Sequence, residues 1–377
     1  MFIIRFMKTR NLLPLFMASF LAVGCSARAT RVYDVSEYSK KSDENKTSFV
    51  YKDGYKIMQL SDLHFSCYDY LEEDFNYLKF LMKEAQPNLV VITGDCFTFA
   101  SKAVVRRVYD FFNNTVKEIE SQPYWVVTMG NHDEQIYGAY NYTSIYASSL
   151  DRCLLNYHED DALTGISNTI VNLYDPLDMN KVKYQIFVID SNSYTYNPIG
   201  YDYVHQDQID WYKTAIERAN QPYGWTPASG TNAPVKSIIF EHIPVPEFNN
   251  AYKDYESDPT KGTGDNRENP SASNYNSNFY QTIKEYRSTT AMIVGHDHVN
   301  NSDVVYDGNF RFIYGAKSTD NMYYDGDRLG YRLVTLDSSD SFGFKTSEVY
   351  HVYADALEVA AWVTKQKWFL PESPLAS

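Results

Sequence analysis

The stretch Leu89-Val90-Val91-Ile92-Thr93-Gly94-Asp95 determines the architecture that we expect for this chain, because an uninterrupted apolar run ends in a glycine and a carboxylate. A continuous apolar run of this length is typical of a strand that is buried on both faces of a parallel sheet. In open α/β sheets, ligands bind at the carboxyl ends of such strands. Asp95 is therefore predicted to lie at the ligand-binding edge of a sheet.

The same arrangement recurs elsewhere in the chain. Further apolar runs end in Asp62-Leu63-His64, Gly130-Asn131-His132-Asp133, Glu241-His242 and Gly295-His296-Asp297-His298. Five of the eight histidines lie in these segments. A single histidine in a turn is usually a hydrogen-bonded structural residue, but five histidines at neighbouring strand ends indicate a common site with carboxylate, amide and imidazole ligands.

Strand and helix patterns alternate from Tyr55 onward. In chain order they are a strand at 56–60, a helix at 71–85, a strand at 89–93, a helix at 104–119 and strands at 124–129, 184–190, 235–241 and 291–295. Short runs between Gly and Asp turns follow at 304–306, 310–314, 331–336 and 343–349. The first part predicts a βαβα order with parallel strands, and the short runs predict an antiparallel sheet. We expect one layered α/β domain with two sheets.

Two predicted loops are candidates for substrate contact. Residues 249–278 are rich in Asn, Ser, Asp, Thr, Gly and Pro, and are too long for a routine connection. They form either a functional loop or a disordered insertion, and we interpret them as a substrate-facing loop because they follow His242 closely. Packing explains most of the 34 tyrosines, but a loop after Asp190 carries four candidate contacts. These are Tyr194, Tyr196, Tyr201 and Tyr203.

Residues 1–29 have the pattern of an export signal. Basic residues precede an apolar run over 12–23, which is too short to span a membrane. The stretch Leu21-Ala22-Val23-Gly24-Cys25 resembles a bacterial lipobox and would make Cys25 the lipidated residue, whereas Ala27-Arg28-Ala29 resembles an ordinary cleavage site. We favour a lipid anchor at the outer face of a bacterial cell membrane as the only membrane contact, with secretion as the alternative.

The rest of the chain divides by composition. Residues 30–54 are polar and charged and are predicted to be a flexible tether, 55–352 to be the folded domain and 353–377 a C-terminal extension. The remaining cysteines, Cys67, Cys96 and Cys153, have no C-x-x-C spacing. They predict at most one disulfide and no zinc knuckle.

The net charge argues against one class of partner. The chain has 34 basic and 48 acidic residues, giving a formal charge of −14, whereas non-specific nucleic-acid binding requires clustered Lys and Arg. We therefore expect no specific binding of nucleic acid. A phosphorylated substrate remains compatible with this charge, since bound divalent metals would be the largest local charges in the site.

The order Asp-x-His, Gly-Asp, Gly-Asn-His-Asp, His and Gly-His-x-His resembles that of the calcineurin-like metallophosphoesterases, over about residues 55–337. The segments 238–248 and 295–300 are similar to the subgroup of fungal and plant enzymes related to purple acid phosphatases. This resemblance implies a four-layer αββα sandwich with two central mixed sheets. It also implies metal-dependent hydrolysis of a phosphate ester.

The resemblance further implies the roles of the residues at the strand ends. One metal would be held by Asp62, His64, Asp95 and His298, and a second by Asp95, Asn131, His242 and His296, so that Asp95 bridges them. Carboxylates and imidazoles suit Fe, Mn or Zn in a divalent or mixed-valence pair, and a bridging hydroxide would attack phosphorus. His132 would donate a proton to the leaving oxygen. Asp133 would either orient His132 or have a structural role.

Position 98 departs from the family pattern. Many relatives carry an Asp there that orients the catalytic histidine, and purple acid phosphatases carry a Tyr that ligates ferric iron, whereas this chain has Thr98. We therefore expect the iron-loaded protein to lack the tyrosinate-to-iron charge-transfer band. Visible absorption spectroscopy would detect that band, and its presence would refute the ligand assignment.

The function expected from the sequence is hydrolysis of a phosphomonoester or phosphodiester outside the cytoplasmic membrane. A binding module that keeps the scaffold should have lost a ligand or the catalytic histidine, and none is missing here. The alternatives are a nuclease or nucleotide pyrophosphohydrolase of the same superfamily and a non-enzymatic, ligand-binding surface lipoprotein. The acidic charge disfavours the nuclease.

Overall fold

A computed structural model describes residues 46–69, 71–136, 140–155, 157 and 163–351. The strands are β1 (Lys56–Leu60), β2 (Leu89–Thr93), β3 (Tyr124–Thr128), β4 (Thr169–Asp175), β5 (Asp178–Val188), β6 (Tyr194–Tyr196), β7 (Ile199–Tyr201), β8 (Lys236–Phe240), β9 (Gly262–Thr263), β10 (Thr289–Val294), β11 (Asp303–Tyr306), β12 (Phe310–Tyr314), β13 (Gly330–Leu336) and β14 (Phe344–Tyr350). The α-helices are α1 (Leu71–Ala85), α2 (Lys102–Glu118), α3 (Tyr140–Ser149), α4 (Gln206–Asn220), α5 (Glu247–Ser257) and α6 (Phe279–Tyr286). Short 3₁₀ turns span Lys46–Ser48, Gln221–Tyr223, Pro227–Ser229 and Pro259–Lys261.

The first sheet contains five strands in the order β14-β13-β1-β2-β3. β1, β2 and β3 are parallel neighbours, as the alternation of strands with α1 and α2 requires. β13 runs antiparallel to β1 and to β14. The carboxyl ends of β1, β2 and β3 therefore lie at one edge of this sheet.

The second sheet contains seven strands in the order β4-β5-β8-β10-β12-β11-β9. β5, β8, β10 and β12 are parallel to one another, whereas β4 pairs antiparallel with β5, β11 with β12 and β9 with β11. β6 and β7 form a separate two-stranded hairpin. The carboxyl ends of β8 and β10 lie side by side at one edge of the second sheet.

The hydrophobic core lies between and around the two sheets. One cluster joins side chains of both sheets, including Ile57 and Val91 of the first and Ile238 and Ile293 of the second. A second cluster packs the other face of the first sheet against α1 and α2. On the outer face of the second sheet, α4 packs through aromatic contacts such as Phe187 with Tyr212. The αββα order of layers that the resemblance implies is therefore confirmed.

The structure refines the predicted elements in two places. The predicted strand at 184–190 is only the buried half of β5, which begins at Asp178 in a more exposed hairpin with β4, a strand that the sequence did not predict. The four late strands do not form a sheet of their own. They form two antiparallel pairs, one in each mixed sheet.

Residues 46–54 are part of the folded structure, contrary to the predicted tether. Phe49 is fully buried. Its backbone carbonyl accepts a hydrogen bond from Tyr174 N, and Tyr51 N donates to Tyr174 O. Although this segment is polar in composition, it pairs briefly with β4, the edge strand of the second sheet. The predicted signal peptide, Cys25, residues 30–45 of the predicted tether and the C-terminal extension from residue 353 lie outside the described residues.

Two further sequence predictions can be compared with the described part of the chain. Cys67, Cys96 and Cys153 form no disulfide. Among the helices in the described part of the chain, none is both long enough and apolar enough to cross a lipid bilayer.

The segment 249–278 is partly regular, so it is not a disordered insertion. Its first residues complete α5, and β9 adds a short edge strand beside β11. The remainder packs beside the loop after β10: Ser271 N donates to Asp297 Oδ2 at 3.1 Å, and Glu268 Oε1 accepts a hydrogen bond from Val299 N at 3.1 Å. The segment therefore supports a loop that carries two of the predicted ligands.

Candidate metal centre

The ligand-bearing edges of the two sheets are joined by hydrogen bonds at the end of β1. Ser61 N donates to Ser318 Oγ at 3.1 Å, and Lys317 Nζ donates to Asp62 O at 2.6 Å. His296 N lies 3.2 Å from both carboxylate oxygens of Asp62. These contacts bring the side chains at the strand ends of both sheets together in one buried centre.

The first group of side chains contains Asp62, His64, Asp95 and His298, all of them buried. One candidate ligand atom from each lies within 4.8 Å of the others. The Nε2 atoms of His64 and His298 are 2.9 Å apart. Two imidazole nitrogens that bind one metal at ordinary distances and an angle near 90° are separated by roughly this length.

The second group contains Asp95, His242 and His296, and the amide of Asn131 lies beside it. His242 Nε2 is 3.2 Å from Asn131 Oδ1 and 3.2 Å from Asp95 Oδ2. Asp95 Oδ2 is also 3.7 Å from His64 Nε2 in the first group. One carboxylate oxygen of Asp95 therefore faces both groups, as a bridging ligand would.

Hydrogen bonds to backbone carbonyls on the outer side of the rings orient two of the histidines. His242 Nδ1 lies 2.7 Å from Thr93 O, and His298 Nδ1 lies 2.7 Å from Tyr323 O. A carbonyl only accepts, so each Nδ1 carries the proton, and in the neutral ring Nε2 keeps its lone pair toward the centre. This is the outer-shell pattern of histidines that ligate metals.

The backbone at the centre adopts the left-handed conformation at several non-glycine residues. Positive φ values occur at Asp62 (55°), His64 (48°), Asp95 (49°) and His296 (76°). Such residues are uncommon and persist where surrounding structure imposes them, often at functional sites. Gly94, with φ of 83°, precedes Asp95, and a Cβ there would lie 2.6 Å from His242 Nδ1. A glycine is therefore required at that position.

Burial and mutual charge set the protonation of these groups. Burial lowers the pKa of His64 and His298 well below the ordinary value, and that of His296 to about 3. Burial opposes ionisation of Asp95, but His242 and the other nearby histidines outweigh it and hold the pKa of that carboxyl well below its usual range. Burial opposes protonation of His242, but the carboxylates of Asp95 and Asp62 outweigh it and raise the pKa of His242 to about 10. His64, His296 and His298 are therefore neutral, as metal binding requires, whereas a metal ion that binds His242 Nε2 must displace its proton.

The centre also passes a test of fit for metal ions. Among the described residues, Asp95 Oδ2 and His296 Nε2 are buried and have no hydrogen-bond partner. Buried polar atoms that lack a partner are costly, so an ion that takes their lone pairs explains their presence. The donor set of carboxylates, imidazoles and one amide suits Fe, Mn or Zn.

His132 lies beside the centre without joining either group. Its backbone N donates to Asp95 Oδ1 at 2.7 Å, and its ring meets that of His64 edge-on at 5.1 Å between centroids. Unlike the ligand histidines it is only partly buried. A ring at this position is able to meet a substrate that approaches the centre.

Asp133 has the structural role that the sequence left open. Its Oδ1 accepts a hydrogen bond from Phe97 N at 2.9 Å, and its Oδ2 accepts one from Gly130 N at 2.8 Å. Both oxygens therefore fix the loops after β2 and β3. The expectation that Asp133 orients His132 needs correction, because both carboxylate oxygens are engaged by the backbone and His132 Nδ1 has no hydrogen-bond partner among the described residues.

Thr98 occupies the place of the missing tyrosine and orients a histidine. Its Oγ1 lies 2.7 Å from His64 Nδ1, and both residues are buried. The Thr98 hydroxyl thus binds Nδ1 of His64, just as backbone carbonyls bind Nδ1 of His242 and His298.

Replacing Thr98 by Val should weaken metal binding. The substitution keeps the shape of the side chain but removes the partner of His64 Nδ1, and loss of such an outer contact costs about 10- to 100-fold in metal affinity. Competition with a chromophoric zinc chelator would measure the change. Thr98→Ser keeps the hydroxyl and should bind zinc within about threefold of the parent; equal weakening by both substitutions would contradict this role.

Three side chains near the centre were not predicted as parts of it. Lys317 is buried beside Asp62, and burial lowers its pKa to about 8. Because it follows β12, the strand-end rule could have identified it. Tyr323 contacts His298 through a loop with no comparable signal. Asn321 Nδ2 donates to Leu63 O at 2.9 Å and supports the loop after β1.

The four candidate tyrosines occupy different places. Tyr194 OH accepts a hydrogen bond from Asn131 Nδ2 at 2.9 Å, and the rings of Tyr201 and His296 form a T-shaped contact with their centroids 4.4 Å apart. Tyr196 is 91% exposed at the tip of the hairpin. Tyr203 stacks on His205 and touches neither group of candidate ligands. The structure thus places two of the four against candidate ligands.

Comparison with known proteins places this site in context. Residues 55–300 match the family described as calcineurin-like phosphoesterase. A relative from Arabidopsis thaliana named probable inactive purple acid phosphatase 29 is 26% identical over 311 residues, which cover 76% of each chain. Another from that plant, probable inactive purple acid phosphatase 14, is 26% identical and covers 65% of this chain and 66% of its own length. A solved dimetal phosphatase from Danio rerio is 10% identical, with a TM-score of 0.48, over 80% of this chain and 100% of that one.

Proposed function

Since this chain belongs to the calcineurin-like phosphoesterase family, we propose that it hydrolyses a phosphate ester with the aid of two metal ions. The observation that carries the proposal is the position of Asp95 Oδ2, which faces His64 Nε2 at 3.7 Å and His242 Nε2 at 3.2 Å. A shared carboxylate between two sets of imidazole ligands is the arrangement that a dinuclear hydrolytic site needs.

The proposed ligands follow the two groups. Asp62, His64, Asp95 and His298 would hold one ion, and Asp95, Asn131, His242 and His296 the other. Such a pair supplies a water of lowered pKa and stabilises the phosphoryl oxygens. The hydrogen bond from Asn131 Nδ2 to Tyr194 OH leaves the amide oxygen directed toward His242 and the second position. Asn131 is therefore oriented to offer an oxygen ligand.

In the proposed reaction, a new P–O bond forms to a water oxygen and the P–O bond to the alcohol breaks. We assign to His132 the proton that the departing alcohol oxygen must receive. The hydrogen bond from His132 N to Asp95 Oδ1 holds His132 beside the proposed bridging carboxylate. Because His132 is only partly buried, its ring is accessible to the ester. Asp133 supports this arrangement through the backbone of Gly130 and Phe97.

The names of two relatives include the word inactive, so a direct assay is needed. The purified chain would be reconstituted with Mn²⁺, Zn²⁺ or Fe²⁺ and tested on p-nitrophenyl phosphate, bis-p-nitrophenyl phosphate and nucleotides. We expect metal-dependent release of p-nitrophenol that is lost with a chelator. No hydrolysis of any substrate at any metal loading would instead favour a non-enzymatic ligand-binding protein.

The same assay separates the alternatives within the family. Hydrolysis of the diester alone would indicate a phosphodiesterase, and a strong preference for nucleotides would favour the nucleotide pyrophosphohydrolase. The acidic chain, with a formal charge of −14, disfavours a nuclease, since phosphate-rich polymers bind to clustered basic side chains.

We further propose that the protein acts outside the cytoplasmic membrane, anchored through a lipid on Cys25. The support is the sequence alone: an apolar run followed by Leu21-Ala22-Val23-Gly24-Cys25. In a bacterial host, the lipoprotein signal-peptidase inhibitor globomycin should cause the unprocessed precursor to accumulate, as seen by immunoblot. Normal processing in its presence would refute the anchor and leave simple secretion as the alternative.

A further inference from the structure

Three tyrosine rings flank the candidate metal centre. On the side of the second group, Tyr194 OH accepts a hydrogen bond from Asn131, and the rings of Tyr201 and His296 form a T-shaped contact with their centroids 4.4 Å apart. On the side of the first group, Tyr323 stacks on His298 with centroids 4.1 Å apart and planes inclined by 20°. Two aromatic walls therefore adjoin candidate ligands: Tyr194 and Tyr201 form the wall beside the second group, and Tyr323 forms the wall beside the first.

The side chains of Tyr194 and Tyr323 are partly exposed to solvent, and the hydroxyl of each makes a hydrogen bond. Tyr194 is 48% exposed and Tyr323 46% exposed. The hydroxyl of Tyr194 accepts from Asn131 Nδ2, and that of Tyr323 donates to Glu268 Oε2 at 3.0 Å. Tyr194 and Tyr201 also stack on each other, at 5.6 Å between centroids. Tyr194 and Tyr323 therefore offer a ligand exposed aromatic ring surface beside the centre.

One segment holds both walls in place. Ser273 Oγ donates to Tyr201 O at 2.8 Å, and Asn274 Nδ2 donates to Ile199 O at 3.0 Å, which fixes the β6–β7 hairpin. Glu268, in the same segment, accepts from the Tyr323 hydroxyl. Residues 264–278 thus hold the aromatic walls in position before a substrate binds. Less conformational entropy is therefore lost when a substrate binds.

The walls are neutral, and the charge in contact with them is negative. Tyr194, Tyr201 and Tyr323 are phenols, which carry no charge at neutral pH. Glu268, which binds Tyr323, is a carboxylate. A carboxylate beside Tyr323 disfavours a further negative charge on a leaving group that contacts this ring. An uncharged planar group is the chemistry that this surface fits.

We infer that the centre selects phosphate monoesters whose alcohol carries an uncharged aromatic ring, and that Tyr194, Tyr201 and Tyr323 bind that ring. This inference rests on the proposed phosphoesterase function. Offset or edge-on contacts between the substrate ring and these tyrosines would favour aromatic over aliphatic alcohols of equal size. These residues would therefore determine specificity rather than take part in the bond-breaking step.

The test compares benzyl phosphate with cyclohexylmethyl phosphate. Both are esters of primary alcohols of similar size, so a difference in kcat/KM reports the ring rather than the departure of the alcohol. We expect the Mn²⁺-loaded protein to prefer benzyl phosphate by about three- to tenfold, expressed mainly in KM. Equal kcat/KM values for the two esters in a protein that hydrolyses both would overturn the inference while leaving the proposed function intact.

Substitutions locate the preference. Tyr323→Leu removes the ring but keeps the backbone carbonyl that binds His298 Nδ1, so metal content should stay at the parent value while the benzyl preference falls to below about twofold. Tyr194→Phe keeps the ring and should retain the preference. Tyr196→Leu is the matched control, because Tyr196 is 91% exposed at the hairpin tip and contacts none of the candidate ligands. Loss of preference in the Tyr196 variant, or its retention in Tyr323→Leu, would contradict the assignment.

A binding measurement separates failure of this inference from failure of the proposed function. Benzylphosphonate and cyclohexylmethylphosphonate have no ester bond to cleave, so calorimetry reports selectivity even in a chain that hydrolyses nothing. Tighter binding of benzylphosphonate, lost in Tyr323→Leu, would support the aromatic walls. Equal affinity of the two phosphonates for the parent protein would refute them.

Discussion

Replacing Asp95 by Asn should abolish hydrolysis and reduce the number of bound metal ions. Asp95 Oδ2 lies between His64 and His242, and the amide supplies less negative charge to hold two cations together. We expect kcat/KM for p-nitrophenyl phosphate to fall by at least about 10³-fold, since stabilisation at both metal positions is affected. Metal analysis after dialysis should find fewer than two ions per chain in the variant.

The size of Asn makes this test specific. Asn has nearly the shape of Asp, and its Oδ1 can still accept the hydrogen bond from His132 N, so the loop after β3 should keep its position. Asp210→Asn is the matched control, because Asp210 lies on α4, where its carboxylate pairs with Lys213. Parental activity and metal content in Asp95→Asn, beside an unaffected control, would remove Asp95 from the site.

Replacing His132 by Ala should slow hydrolysis in a manner that depends on the leaving group. A positioned general acid contributes about 10²- to 10⁴-fold, and its contribution is largest when the departing oxygen is strongly basic. We expect losses in that range for phenyl phosphate, and a loss of less than about tenfold for p-nitrophenyl phosphate, whose leaving group departs without a proton. Steady-state kinetics on the two esters would measure the difference.

Metal content distinguishes a catalytic from a structural role for His132. Its ring belongs to neither group of candidate ligands, so the variant should bind the same number of metal ions as the parent. His351→Ala is a suitable control, because that histidine pairs with Glu84 near the end of the described chain. Equal losses on both esters would exclude the role of proton donor, and loss of metal would make His132 part of the binding site.

The sequence predicts which side chains gather at the candidate metal centre because their signal is local. Asp62, Asp95 and His242 each lie two residues after the end of an apolar run, and parallel strands place their carboxyl ends at one edge. The structure then brings these side chains together with those that follow β3 and β10. Local periodicity was sufficient for that part of the site.

Features that depend on pairing across the chain were not accessible in this way. β13 pairs with β1 far away in sequence, and a hydrophobic pattern does not show which sheet a strand joins. β5 was predicted only over its buried half, because its exposed half in the hairpin with β4 carries little hydrophobic signal. The burial of Phe49 could not be predicted either, because the polar residues around it give little hydrophobic signal.

The outer contacts of the site were also beyond the sequence. The bond between Thr98 and His64 joins residues on different loops, and that between Asn131 and Tyr194 joins the loop after β3 to the hairpin. Asp133 was considered for two roles, and only the positions of Gly130 N and Phe97 N decide between them. Such side-chain contacts follow from the assembled fold.

Anomalous diffraction from crystals of the Mn²⁺-loaded protein would show whether this chain holds two metal ions bridged by Asp95. We expect two anomalous peaks about 3.5–4 Å apart. One should lie among Asp62, His64 and His298, and the other among Asn131, His242 and His296, with Asp95 between them. A single peak, or two peaks that do not share Asp95, would contradict this arrangement.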